Sequence, residues 1–253
     1  MKRLTANQKE TIISGINNGV SIKKLAKEMD LAKSTIYYYY KKIKGKRYKA
    51  PHYEVAFSEI EGEIVGIFAG DGSQCYSKNE GHYINVVHFG NYDYMIYVKG
   101  LFEKYFNRNF SIVTIPSVCI RWKTRYRIIA YDKKIFNYFY SYIEYERTHK
   151  HDTVKLNSLD LPDSFKIGFL RGFVDTDGWV GLRHGKHAVV FYTTSQSLAE
   201  QIQIMLNELK LHCGVYIRYK EHYKPLYHIQ LRAGSVDRFL SIVQPFKAKK
   251  KGW

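Results

Sequence analysis

One acidic motif is written twice in this chain, and no other feature restricts its fold so tightly. The first copy is Ile64-Val65-Gly66-Ile67-Phe68-Ala69-Gly70-Asp71-Gly72, and the second is Leu170-Arg171-Gly172-Phe173-Val174-Asp175-Thr176-Asp177-Gly178. Each is a short apolar helix pattern closing on an Asp-Gly pair, and Asp71 and Asp177 stand 106 positions apart. Such a repeat implies an internal duplication that brings two carboxylates together. Two like charges at one place need a cation, and a divalent ion of the Mg²⁺ type takes hard oxygen ligands. An isolated Asp-Gly would read as a helix end and turn. Two of them in matching surroundings point to a metal site.

The rest of the chain is cationic. Its 253 residues carry 40 Lys and Arg against 23 Asp and Glu, a net charge of +17. That balance attracts a polyanion, and a metal site beside it suggests chemistry on nucleic acid. At 45% hydrophobic residues the chain can bury a real core, which excludes wholesale disorder and leaves room for one sizeable domain plus a small one. Cys75, Cys119 and Cys213 are odd in number, far apart and free of any Cys-x-x-Cys spacing. Neither a disulfide framework nor a zinc knuckle is indicated, and a reducing cytoplasm fits. No apolar run approaches a membrane span, so no membrane partner is expected. The N-terminus turns polar and helical at once, without an apolar signal core, which suggests a free-standing protein.

Residues 1–45 read as a small all-α module. Thr5 caps a first helix whose apolar face includes Ile12, Ile13 and Ile16. Ser21 caps a second with Ile22, Leu25, Ala26 and Met29, and Ser34 caps a third with Ile36, Tyr40 and Ile43 inward. Residues 46–57 are basic, contain Gly and Pro, and read as a linker.

Beyond the linker one order of elements runs twice, over 58–155 and 156–253. Copy one is expected as helix 58–69, strands 73–78 and 82–90, helix 92–106, strands 109–115 and 118–130, and helix 132–146. Copy two is expected as helix 163–175, strands 179–183 and 187–194, helix 196–210, strands 213–220 and 225–232, and helix 234–244. Strand side chains alternate faces. Arg121, Lys123, Arg125 and Arg127 therefore share one face in copy one. In copy two Arg218, Lys220, His222 and Lys224, then His228, Gln230 and Arg232, fall at even positions in the same way. Like charges in such a row repel unless a polyanion neutralises them, which makes these residues candidates to bind DNA.

A duplicated helix–strand–strand–helix–strand–strand–helix unit carrying this motif resembles the LAGLIDADG family of homing endonucleases, over roughly residues 58–250. The resemblance implies an α+β fold in which tandem pseudo-twofold αββαββα repeats form a DNA-binding saddle. It implies a monomeric, site-specific endonuclease that hydrolyses phosphodiesters of double-stranded DNA with Mg²⁺ or Mn²⁺ and spreads a host intron or intein. The eighth motif position, a metal ligand in the family, is Asp71 in one copy and Asp177 in the other. The carbonyls of Gly70 and Thr176 are further ligands by resemblance. Gly66 and Gly172 fill the third position, where a missing side chain lets the two helices approach closely. At the sixth position Ala69 replaces the acid that Asp175 retains. The family's lysine beside each metal site matches Lys150 and Lys250, expected to polarise the water network or stabilise transition-state charge. Asn91 and Ser195 are candidates to position water. His149 and His151 read as surface residues.

The N-terminal module resembles the helix-turn-helix of resolvase- and invertase-type recombinases, through Gly19-Val20-Ser21, Leu25-Ala26 and the run Leu31 to Tyr37. Lys33, Ser34, Thr35, Tyr37 and Tyr38 are then the residues placed to touch DNA. Two rival readings stand beside the endonuclease: a DNA-binding regulator that kept the saddle and lost the chemistry, and an RNA maturase gripping its own intron.

Overall fold

A computed structural model describes residues 4–45, 53–77, 80–117 and 124–249. The chain divides into two compact units, residues 1–52 and 53–253.

The first unit is three helices: α1 (Ala6–Asn17), α2 (Ile22–Glu28) and α3 (Lys33–Lys44). Thr5 and Gln8 form a capping box on α1, and Ser21 caps α2 through the Lys24 N–H. Ile12, Ile16, Ile22, Leu25, Ala26 and Ile36 form the core, with Tyr39, Tyr40 and Ile43 packed against it. Two expectations need correcting. Ile13 is 40% exposed, because one helical step from the core-facing Ile12 carries it about 100° round the axis. Ser34 does not cap α3; the helix starts at Lys33, behind Ala32, which supplies no side-chain cap, and Ser34 lies exposed in the first turn.

The second unit begins inside the expected linker. The Tyr53 hydroxyl donates to the Phe106 carbonyl at 2.8 Å, and the Phe57 ring packs edge-on to Tyr142 and Phe165. These aromatic anchors place residues 53–57 with the core.

Repeat one runs α4 (Glu59–Asp71), β1 (Gly72–Ser77), β2 (His82–Phe89), α5 (Tyr92–Phe106), β3 (Ser111–Ile115), β4 (Arg125–Tyr131) and α6 (Lys133–Tyr140). A short passage follows: β5 (Ile143–Glu144), α7 (Lys150–Thr153) and β6 (Lys155–Leu156). Repeat two runs α8 (Asp163–Asp177), β7 (Gly178–Arg183), β8 (Lys186–Thr193), α9 (Gln196–Glu208), β9 (Cys213–Arg218), β10 (Leu226–Leu231) and α10 (Ala233–Val243), and α11 (Phe246–Lys249) follows it. Each repeat builds one four-stranded antiparallel sheet, ordered β1-β2-β4-β3 and β7-β8-β10-β9. The expected α+β architecture of two like repeats is therefore present.

The expected helix over 132–146 stops at Tyr140. Apolar residues continue at helical spacing through Tyr142 and Tyr145, both buried. The chain nonetheless turns extended, because Ile143 and Glu144 pair with Leu156 and Lys155 and the Tyr142 carbonyl accepts the Asn157 N–H. A partner segment that periodicity cannot reveal decides the conformation here.

The two motif helices, α4 and α8, form the axis between the repeats. A Cβ on Gly62 or Gly66 would collide with the carbonyl of Phe165 or Phe169, and one on Gly168 or Gly172 with that of Glu59 or Glu63. Glycine at every fourth position on both helices thus leaves a side-chain-free stripe, and backbone meets backbone along it. One continuous core, including Phe68, Phe102 and Phe139 of repeat one and Phe169, Phe173 and Phe239 of repeat two, packs around this axis and under one face of each sheet.

Candidate metal centre and nucleic-acid face

Both motif helices end at their aspartate, where helix carbonyls lack N–H partners and the helix dipole is negative. A lysine ammonium meets each end. Lys150 Nζ donates to the carbonyls of Phe68, Ala69 and Gly70 at 2.7, 2.7 and 3.0 Å. Lys247 Nζ donates to those of Val174, Thr176 and Gly178 at 3.1, 3.3 and 2.6 Å. The lysine expected in copy two, Lys250, lies outside the described residues; among the described residues Lys247, three positions earlier, meets the end of α8. Lysines at 247, 249, 250 and 251 hide Lys247 in the sequence, and its place at the start of α11 is what turns it inward.

The two ends face each other. A Cβ on Gly70 would strike Thr176 and lie 3.2 Å from Asp177 Oδ2, so the carboxylate of one helix reaches the backbone of the other. Thr176 fits opposite because Gly70 has no side chain, and its hydroxyl is satisfied by the carbonyls of Gly172 and Phe173. Two recesses open beside the crossing. One, of about 430 Å³, is lined by Asp71 together with Thr176, Gly178 and Lys247. The other, of about 420 Å³, is lined by Asp177 together with Gly70, Gly72 and Lys150. Each recess therefore takes its carboxylate from one repeat and its helix-end lysine from the neighbourhood of the other's motif.

Burial dominates the electrostatics of these groups. Burial, then the like charge of Asp177, pushes the Asp71 carboxyl up to about 7, against the pull of Lys150 and Lys247. Burial also raises Asp177, with the two lysines opposing. Burial lowers Lys150 to about 8 although both aspartates favour its charge. Two hard carboxylates and the carbonyls of Gly70 and Thr176, each with a second lone pair beside its lysine bond, are a donor set that fits Mg²⁺ or Mn²⁺. No group of three or more His, Cys, Asp or Glu able to hold a metal occurs among the described residues, so water and substrate oxygens would complete the shell.

Asp175, at the motif's sixth position, has a different job. It is buried, and its two oxygens accept the backbone N–H groups of Phe246 and Lys247 at 2.7 and 2.9 Å. Burial raises its carboxyl to about 6 in spite of those bonds. Asn91 and Ser195 are the N-caps of α5 and α9. Ser195 is buried, accepting from the Leu198 N–H and donating to the Val154 carbonyl, which leaves it no room to position water; Asn91 lines the Asp71 recess. His149 precedes α7 without capping it, and the exposed His151 sits 3.3 Å from Asp152.

The cationic stripes are shorter than expected. Arg121 and Lys123 lie outside the described residues. Arg125 and Arg127 do share the face of β4 turned from the core, beside His88 of β2. Of the residues expected on it in repeat two, Arg218, His228 and Gln230 lie on that open face. The strand ends at Arg218, so Lys220, His222 and Lys224 belong to the β9–β10 loop, where a left-handed His222 at φ 64° breaks the alternation. Lys224 pairs with Asp152 there. Arg232 is the N-cap of α10. The face also presents residues that alternation along β7 and β8 could have found: Trp179, Arg183, Tyr192 and, on β9, Tyr216. Arg183 donates to Gln230 at 3.3 Å, and the Tyr192 and His228 rings meet edge-on at 4.9 Å.

This architecture is that of the LAGLIDADG homing endonuclease fold, and residues 164–244 match the family model of the LAGLIDADG-like domain. Among solved structures, the homing endonuclease I-DmoI in complex with DNA and Ca superposes with a TM-score of 0.57 at 15% identity, over 78% of this chain and 99% of that one. I-DmoI in complex with DNA and Mn gives 0.53 at 16% identity, over 74% and 97%. The N-terminal LAGLIDADG domain of DUF199/WhiA gives 0.53 at 13% identity, over 80% and 90%. No curated protein matches the chain by sequence. No helix among the described residues is long and apolar enough to cross a membrane.

Proposed function

We propose that this protein is a metal-dependent, site-specific endonuclease of double-stranded DNA. The observation that carries the reading is the pair of recesses, each joining an aspartate at the end of one motif helix to a lysine at the end of the other. Asp71 and Asp177, with the carbonyls of Gly70 and Thr176, would hold Mg²⁺ or Mn²⁺. Such an ion supplies Lewis-acid stabilisation of the leaving oxygen and a more acidic water. Lys150 and Lys247 place positive charge where phosphate charge develops, and both are held rigidly by helix carbonyls. Lys250 remains a candidate for phosphate contact. The I-DmoI structures with bound DNA and metal support the same use of this fold.

Arg125, Arg127, His88, Arg183, Arg218, His228 and Gln230 on the open sheet faces, with Trp179, Tyr192 and Tyr216, read base edges in the major groove of a saddle-bound duplex. Arg121, Lys123, Lys220, His222, Lys224 and Arg232 neutralise phosphates. The N-terminal unit acts as a helix-turn-helix through Lys33, Ser34, Thr35, Tyr37 and Tyr38, and adds affinity by effective concentration. Two repeats in one chain need no second copy, so the working form is a monomer. The free Cys75 and Cys213 suit the reducing cytoplasm, and mobility of a host intron is the role that fits such an enzyme.

The test is selection of cleaved duplexes from a randomised DNA library with Mg²⁺, using the parent, Asp71→Asn and Asp177→Asn. Metal-dependent cutting by the parent alone, with binding kept by both variants, establishes the enzyme. Specific binding without cutting by any form establishes instead a regulator, a reading for which the fold of DUF199/WhiA, not named as an endonuclease, leaves room. Preference for structured intron RNA over duplex at matched salt establishes a maturase.

A further inference from the structure

The two lysines are held in place by different means. α11 is clamped to its own motif helix: both oxygens of Asp175 are taken by the first N–H groups of the segment that carries Lys247. The Phe246 ring, packed against Tyr94 and Tyr97 at 5.2 and 5.3 Å, gives that segment a second hold. In the other half the equivalent position is Ala69, buried and with a methyl side chain that accepts nothing. α7 is braced from repeat two instead. Thr194 Oγ1 donates to the His151 carbonyl at 2.8 Å, and Ser195 Oγ donates to that of Val154 at 2.7 Å. Nothing in the Lys150 arrangement runs through Asp175.

We propose that Asp175 is a positioning residue present in one half only, which fixes Lys247 over the Asp71 recess and leaves scission of one DNA strand separately adjustable from scission of the other. The proposal rests on the endonuclease reading. A main-chain clamp of two charge-assisted hydrogen bonds sets where the Lys247 backbone starts, and the side chain is long and flexible beyond that start. Without the clamp the ammonium spreads over more positions, and the half that uses Lys247 slows. The half that uses Lys150 keeps its braces and its rate.

Two readouts test this on the full-length protein, with Asp175→Ala, which copies the Ala69 half, and the isosteric Asp175→Asn in case the first does not fold. The first readout is acetylation of each lysine by an N-hydroxysuccinimide ester, followed by peptide mass spectrometry and needing no DNA. Lys247 is expected to react about tenfold faster in the variant, in keeping with loss of a charge-assisted bond, with Lys150 unchanged. The second is cleavage of a duplex recovered from the library selection, labelled separately on each strand. One strand is expected to be cut about tenfold or more slowly and the other within about twofold of the parent, so that nicked duplex accumulates. Unchanged Lys247 reactivity, or equal slowing of both strands, overturns the proposal. A parent that cuts no duplex removes the endonuclease reading and the strand claim with it; a response of Lys247 reactivity alone then marks a clamp of the fold and nothing more.

Discussion

In repeat one the sheet face turned from the core displays Ile84, Val86, Val113 and Ile129 around Arg125 and Arg127. In repeat two the same face displays Trp179, Tyr192, Tyr216, His228 and Gln230 beside Arg183 and Arg218. The acid at the sixth motif position survives only in repeat two, which is also where the family match falls. Yet the glycine stripe, the terminal aspartate and the helix-end lysine are present in both halves. The shared axis dictates the common features: whatever lies on it must fit its counterpart atom by atom, whereas an outward sheet face is free of that constraint.

The largest effect is expected at the axis. Gly66→Leu and Gly172→Leu should each cost more than about 4 kcal/mol and unfold the second unit, since a side chain there has only backbone to displace. Circular dichroism melts would show it, and a mild effect in one of the pair would mean that the halves are not equivalent at the axis. Next, Asp71→Asn and Asp177→Asn should each reduce cleavage by at least about 100-fold while keeping the fold, measured in single-turnover assays. An active variant of either would mean that one aspartate is dispensable.

Arg171 sharpens the contrast, because Val65 stands at its counterpart. It bridges to Glu59 and Glu63 of α4 and donates to the Val243 carbonyl at 2.6 Å. Arg171→Met should destabilise by about 3 kcal/mol, chiefly by leaving the buried Glu63 uncompensated, as chemical denaturation would report. The smallest effect is on pH dependence. Folded Asp71 and Asp175 hold protons up to about 7 and about 6, whereas an unfolded aspartate releases them near pH 4. The folded state therefore binds more protons in between, and metal-free stability should fall as pH rises from about 4 to about 7. Asp71→Asn should flatten that slope, and added Mg²⁺ should offset it at neutral pH. A stability that instead rises across this range would show that the paired carboxylates are not buried together.

Much of this arrangement was legible because the motif fixes its own geometry. Asp71 and Asp177 stand out because the motif is written twice, Gly66 and Gly172 because the family resemblance gives them a place, and apolar spacing marks the helix 92–106, although Asn91, expected to position water, is its cap. What escaped depends on contacts distant in sequence. The choice of Lys247 rests on Asp175, which reads as a spare acid until its partners are seen. Lys220, His222 and Lys224 keep an even spacing that imitates a strand, but the hydrogen-bonded register stops at Arg218 and Leu226. Gly62 and Gly168 lie four residues ahead of the motif glycines and two ahead of the motif itself, so the stripe outruns the signature.

The crossed composition of the recesses also makes the molecule fail safe. Neither repeat contains a whole site, so proteolysis or local unfolding that parts α4 from α8 dismantles both centres in one event. On the endonuclease reading, a copy damaged in this way would lose both cuts together and leave no fragment that nicks one strand.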